Sequence, residues 1–415
     1  MELYYSLSIL IIIATIFAYI NYRFLKLPSK IGIMVMAIIS SICLIVIGRF
    51  DPVPLRNAYQ LIDHIDFTKL LMGGMLYFLL FAGAVQINLN DLKEEKFSIM
   101  AFSTLSVIIS TFAVGFLLYY MLLYLLPLVG IDIHISLIYC LLFGTIISPT
   151  DPIAVLAILK NTKVSKPLET RITGEALFND GMAIILFTLI YSIAQGEEQL
   201  SDISILSISW LLVKEVLGAL IIGTILGYIG FYAIKKVDDY KFTVLVTLSV
   251  VMGAYMVSQA MGISGPLTMV SAGIIIGNES RKYSRKRRTE INFVKTFWEF
   301  IDEILNTILF LLIGLELLLI PGLNQYWAGG LTAIAIVLFA RYISIKIPTL
   351  VLKEDYSGKA IVILVWGGLR GGVSIALALS IGDVGHRSVI VAITYFVVVF
   401  SIIVQGLSLK KLLGD

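Results

Sequence analysis

Gly174-Glu175-Ala176-Leu177-Phe178-Asn179-Asp180-Gly181 lies inside an apolar run from about Ile172 to Ala194, long enough to cross a bilayer. A charged side chain at bilayer depth costs about 2.5–3.5 kcal/mol on insertion scales, so it turns toward protein and marks an ion or proton path. On a helix Glu175 and Asn179 share a face at i, i+4. Asp180 stands about 140° round from Glu175 at roughly 3.6 residues per turn. The two carboxylates are therefore expected to do different jobs.

The rest of the chain has the same character. Of 415 residues, 59% are hydrophobic and 14% are charged, against about 25% charged in a soluble domain. Thirteen apolar windows, from Leu3–Tyr22 to Ser388–Leu409, predict an all-α polytopic membrane protein with thirteen transmembrane helices. Basic residues alternate with them. One set of loops holds Arg23, Lys26, Lys30, Lys93, Lys96, Lys160, Lys163, Lys166, Arg171, Lys235, Lys236, Lys241, the Arg281–Arg288 run, Lys353, Lys359, Lys410 and Lys411. The intervening loops hold only Arg49, Arg56 and Arg387. The positive-inside rule then places the N-terminus outside and the C-terminus in the cytoplasm. The Arg281–Arg288 run is read as a topology anchor, not a nucleic-acid patch, and no soluble C-terminal domain is expected. Cys43 and Cys140 have no metal spacing, and His64, His134 and His386 form no zinc pair, so neither metal nor cofactor chemistry is expected of them.

Two windows are interrupted. The fifth, Ile135–Lys160, contains Ser148-Pro149-Thr150-Asp151-Pro152. Two prolines around an aspartate break a helix and expose carbonyl oxygens, which is tolerated at membrane depth only inside protein or around a cavity. The Thr150 hydroxyl and the Asp151 carboxylate add oxygens, the ligands a hard monovalent cation takes. The twelfth, Ala360–Ile381, contains Gly367-Gly368-Leu369-Arg370-Gly371-Gly372, where four glycines weaken helix and Arg370 would offset the carbonyl end of a half-helix. Paired breaks in the two halves of a chain point to a midplane transport site and to inverted repeats. Arg341, inside the eleventh window, needs a carboxylate, and Glu175 is the candidate. Glu299, Glu303 and Asn306 share a face in the tenth window, Ile291–Ile320, as a possible cytoplasmic funnel for cations. Gly223-x-x-x-Gly227 in the seventh should let that helix approach another closely.

Ser-Pro-Thr-Asp-Pro, Gly-Glu-Ala-Leu-Phe-Asn-Asp, Phe-Leu-Leu-Ile-Gly-Leu-Glu at Phe310–Glu316 and Gly-Gly-Leu-Arg-Gly-Gly, in this order over nearly the whole chain, resemble the sodium/proton antiporters of the NhaP/NHE type. The resemblance implies a core domain around two crossed broken helices (about 97–194 and 326–409), interface helices (about 3–88 and 242–320) that form a homodimer, and a linker helix (about 206–234). It implies a Na+ or Li+ ion bound at Asp180 and Asp151 with Asn179 and Thr150, a structural Glu175–Arg341 pair, and exchange for H+ across the cytoplasmic membrane. Asn rather than Asp before Asp180 resembles the electroneutral, one-for-one members. Ala176 departs from the pattern, standing where many NhaP-like members carry a serine. Potassium/proton exchange is the nearest rival, and a cation channel is more remote. An intramembrane aspartyl protease is suggested by Asp383 after Ile381-Gly382, but Ser380 rather than glycine stands before Ile381 and no partner motif occurs.

Overall fold

The computed structural model describes residues 2–63, 65–125, 127, 135–151, 165–196, 205–237, 239–283, 288–320, 322–352, 356–382 and 386–413. Pro152 and the rest of the fifth window, residues 284–287 and Asp383 lie outside them. Helix is the only regular structure among the described residues. Nine of those helices are long and apolar enough to cross a membrane. Described helix also occupies the four remaining windows, and each falls short for a visible reason. The fifth window contributes the short helix Leu137–Ile147 and the twelfth two half-length helices, Gly358–Trp366 and Gly372–Leu379. Gly265–Tyr283 ends in Glu279, Arg281 and Lys282, and Arg288–Leu315 carries Glu299, Asp302 and Glu303.

In chain order the helices are α1 (Glu2–Ile20), α2 (Ser29–Ile47), α3 (Pro52–Asp63), α4 (Phe67–Leu70), α5 (Leu76–Gln86), α6 (Leu89–Glu94), α7 (Lys96–Met100), α8 (Ser106–Tyr120) and α9 (Leu137–Ile147). They continue as α10 (Lys166–Gln195), α11 (Ile205–Lys235), α12 (Tyr240–Met261), α13 (Gly265–Tyr283), α14 (Arg288–Leu315) and α15 (Trp327–Leu352). The last four are α16 (Gly358–Trp366), α17 (Gly372–Leu379), α18 (Arg387–Phe400) and α19 (Gly406–Leu413). Five-residue π-helical turns interrupt several of the long helices, among them Ala101–Leu105 and Ser401–Gln405. α3 is a helix the apolar windows leave out. Pro52 stands at its first position, where its missing N–H costs nothing, and Asp51 Oδ1 accepts from Val53 N at 3.0 Å.

The chain divides into two compact units, Met1–Gly73 with Ile108–Val164 and Leu305–Asp415, and Gly74–Val107 with Ser165–Ile304. In the second unit α13 packs between α5 and α11. A Cβ on Gly273 would lie 2.8 Å from Ala84 Cβ, and one on Gly277 would run into the Val85 carbonyl. On the other side, Gly223 faces the Thr268 carbonyl and a Cβ on Gly227 would lie 3.0 Å from Ala272 O. The small-residue spacing of the seventh window thus does bring two backbones together. Arg281 is helical rather than in a loop. It donates to Val85 O at 3.3 Å, to Gln86 O at 3.1 Å and to Ile87 O, while Asn278 accepts from Leu89 N at 2.8 Å. The Arg281 bonds satisfy carbonyls that the end of α5 leaves open, and the Asn278 bond satisfies an amide at the start of α6. Lys166 at the start of α10 meets Asp91 at 2.7 Å, and Arg171 pairs with Glu95, so the loop before the fourth window is tied to the helix bearing Asp180.

In the first unit α9 lies against α8 with no room to spare. Gly144 faces the Thr111 carbonyl directly, and a methyl group there would collide with backbone, which cannot swing aside as a side chain would. Gly144→Ala should therefore destabilise the protein by about 1–3 kcal/mol, measured as a lower Tm in detergent; an unchanged Tm would mean that α8 and α9 pack less closely than described.

Candidate functional site

In the first unit two chain breaks meet. α9 ends at Ile147, and the Ser148 hydroxyl folds back on Gly144 O at 2.6 Å, 3.2 Å from the Thr111 hydroxyl. Pro149 has no N–H to continue the helix, and Thr150 and Asp151 follow in irregular backbone. Asp151 N–H donates to Leu369 O at 2.7 Å, inside the second break. There α16 stops at Trp366 and α17 starts at Gly372. A Cβ on Gly371 would lie 2.5 Å from Asp151 Oδ2. Glycine at that point lets the carboxylate sit beside the N-terminus of α17, whose positive end favours a negative charge.

The open groups of the second break are satisfied from three directions. Arg341 donates to Leu364 O at 3.2 Å, and Arg370 Nη1 donates to Gly368 O at 2.9 Å, so both arginines attend the carbonyl end of α16. Arg341 and Arg370 are 5% and 1% exposed. The last span supplies the rest. Gln405 Nε2 donates to Trp366 O at 3.2 Å, the Ser401 hydroxyl accepts from Arg370 N at 2.9 Å, and Trp366 Nε1 donates to the Ser408 hydroxyl at 2.8 Å. Sequence reading passed over these three residues. Their signal was present: Ser401, Gln405 and Ser408 form a polar stripe at i, i+4, i+7 in a mostly apolar span.

In the second unit α10 runs unbroken for 30 residues, with Pro167 in its first turn and Gly196 ending it at φ 74°. It carries Glu175, Asn179 and Asp180, all buried, with Asp180 7% exposed. Glycines flank the acids: Cβ atoms on Gly174 and Gly181 would each lie 2.6 Å from side-chain carbons of Ile99 and Leu267. The acidic segment is thus packed closely on two sides. Glu175, Asn179, Asp180, Asp151 and Thr150 all make polar interactions in the structure. Ala176 is buried and supplies no oxygen.

Glu299, Glu303 and Asn306 do not stand together. Glu299 and Glu303 are exposed, and Glu299 lies 3.7 Å from Lys295, whereas Asn306 is fully buried. α14 passes from the surface into the interior along that face. Among the described residues no group of three or more His, Cys, Asp or Glu is placed to hold a metal ion. Within the first unit Asp151 brings a carboxylate beside the Thr150 hydroxyl, and within the second Asp180 brings one beside the Asn179 amide.

Residues 11–414 match the family model described as "Sodium/hydrogen exchanger, transmembrane". The chain is 43% identical over 412 residues to the Na(+)/H(+) antiporter NhaP of Pseudomonas aeruginosa, covering 97% of this chain and 94% of that one. It is 33% identical over 350 residues to the Na(+)/H(+) antiporter NhaH of Halobacillus aidingensis, covering 84% and 83%. Its fold is similar over the full length of both chains to that of the sodium proton antiporter MjNhaP1 from Methanocaldococcus jannaschii at pH 8, with a TM-score of 0.77 at 19% identity. A match over nearly all of the chain leaves no place for the protease reading, and the chain belongs to the sodium/hydrogen exchanger family.

Proposed function

We propose that this protein exchanges Na+, or Li+, for H+ across the cytoplasmic membrane, one for one, with Asp180 as the carboxylate that alternately holds the two. The observation that carries the reading is a buried Asn179–Asp180 pair in the middle of an apolar 30-residue helix, in a chain that matches sodium/proton antiporters over most of its length. Desolvation disfavours a bare carboxylate. A proton neutralises it, and so does a cation with its oxygen ligands, but the two compete for the same charge. A carrier that reorients only when this group is neutral must return with one if it left with the other. Asn179, Thr150 and Asp151 serve as further oxygen donors, Glu175 and Arg341 as a structural charge pair, and Arg370 with the α16 carbonyls as compensation at the break. The relatives are named for sodium, and nothing favours potassium.

The N-terminus outside, the C-terminus in the cytoplasm and assembly as a homodimer belong to the same proposal. The alternation of basic loops supports the orientation.

Asp180→Asn should abolish Na+-driven and Li+-driven pH change in proteoliposomes while the protein still elutes as a folded species in detergent; retained exchange would remove Asp180 from this role. Glu175→Arg combined with Arg341→Glu should recover part of the folded yield lost in each single variant, and no recovery would separate the two residues. One-for-one exchange should run at the same rate with the membrane potential clamped at zero or at about −100 mV. Net movement of one charge would instead couple at about 2.3 kcal/mol per 100 mV, readable as a rate that follows the clamp.

A further inference from the structure

The last span carries three polar residues at helical spacing, and all three hydrogen-bond to the second break or to the residue that precedes it. Ser401 is fully buried, Gln405 is 4% exposed, and Ser408 is half-buried. The five-residue π-helical turn that runs from Ser401 to Gln405 is a wide turn of a kind often found at functional sites. Its two end residues reach the two sides of the gap between half-helices. Gln405 meets the last carbonyl of α16, and Ser401 meets the amide of Arg370, two residues ahead of α17. Between these two anchor points lies Leu369, whose carbonyl accepts from Asp151 N–H. Gly406, next in line, faces Leu369 and Ile31; a Cβ there would lie 2.9 Å from Ile31 Cδ1. The last span is thus hydrogen-bonded to residues 366 and 370, and residue 369 of the same short segment is hydrogen-bonded to the backbone of Asp151.

We propose that Ser401 and Gln405 are positioning residues for cation binding: they hold the unwound segment at a fixed separation, and the segment in turn holds Asp151. The inference rests on the reading of Asp151 as a cation ligand given above. Neither residue touches the ion. Each acts through the break, so losing one should loosen the ligand geometry and weaken cation binding more than it slows turnover. Arg370 N–H, buried at a residue 1% exposed, would lose its partner in Ser401→Ala. Ser401→Thr keeps the hydroxyl.

The test uses the full chain in proteoliposomes, with Na+ titrated at fixed pH and Tm measured on the same preparations. Ser401→Ala should raise KM for Na+ by about three- to thirtyfold with kcat within about twofold and Tm little changed. Ser401→Thr should restore KM, and Gln405→Met, which keeps volume but cannot donate to Trp366 O, should reproduce the alanine effect. A wild-type KM in both Ser401→Ala and Gln405→Met overturns the proposal. So does a fall in Tm and kcat together without a change in KM, the pattern of a merely structural contact. If Ser401→Ala does not fold, Gln405→Met decides alone. Asp180→Asn measured alongside separates the two levels: retained exchange there would remove Asp180 from its proposed role, whereas a dead Asp180→Asn beside a wild-type KM in both Ser401→Ala and Gln405→Met would sink only this inference.

Discussion

A backbone amide or carbonyl facing lipid at bilayer depth has no water to bond, so an interrupted helix survives there only where protein, or a cavity it encloses, supplies the lost partners. In the first unit that requirement is met by joining the two interruptions to one another. Asp151 N–H donates a hydrogen bond to Leu369 O, so the fifth span's irregular backbone and the twelfth's each satisfy part of what the other leaves open. Four more groups at the twelfth span's break, Leu364 O, Trp366 O, Gly368 O and Arg370 N–H, are taken up by arginine side chains and by the last span. Asp151 is consequently set on backbone that is fixed in place without being helical, the condition for presenting oxygens to an ion without paying for their ordering at the moment of binding.

The second unit solves a different problem. Asp180 rides on an uninterrupted helix rather than on rebuilt, irregular backbone. Gly174 and Gly181 permit the neighbouring chains to come close on either flank of the acidic stretch. The ion pairs of Lys166 with Asp91 and of Arg171 with Glu95 fasten the beginning of the same helix. Asp151 thus stands on irregular backbone and Asp180 on a closely packed helix.

What could be read from the chain alone followed from rules local in sequence. Two prolines beside Asp151 and four glycines around Arg370 announce broken helices because they alter the backbone of their own residues. Glu175 and Asp180 stand out because each is a charge in an apolar run. What could not be read depended on partners far along the chain. The role of Arg281 requires knowing that the end of α5 lies beside it, nearly 200 positions earlier, and nothing in the basic run distinguishes it from a topology signal. Ser401 and Gln405 show a polar stripe, but not what the stripe faces. Asn306 shares a helical face with Glu299 and Glu303, yet the face passes from surface to interior within two turns, so spacing alone overstates their kinship. α3 escaped because it is amphipathic rather than apolar, and window averages are blind to that pattern.

The glycines of α11 and α13 have a mechanical consequence. Where Gly223, Gly273 and Gly277 stand, main chain approaches main chain closely, and a Thr224–Ser271 hydrogen bond joins α11 to α13 beside the first of them. Three adjoining helices, α5, α13 and α11, are laminated into a slab that resists shear. Any rearrangement during a transport cycle would have to carry that slab whole, with bending confined to the connections at its margins.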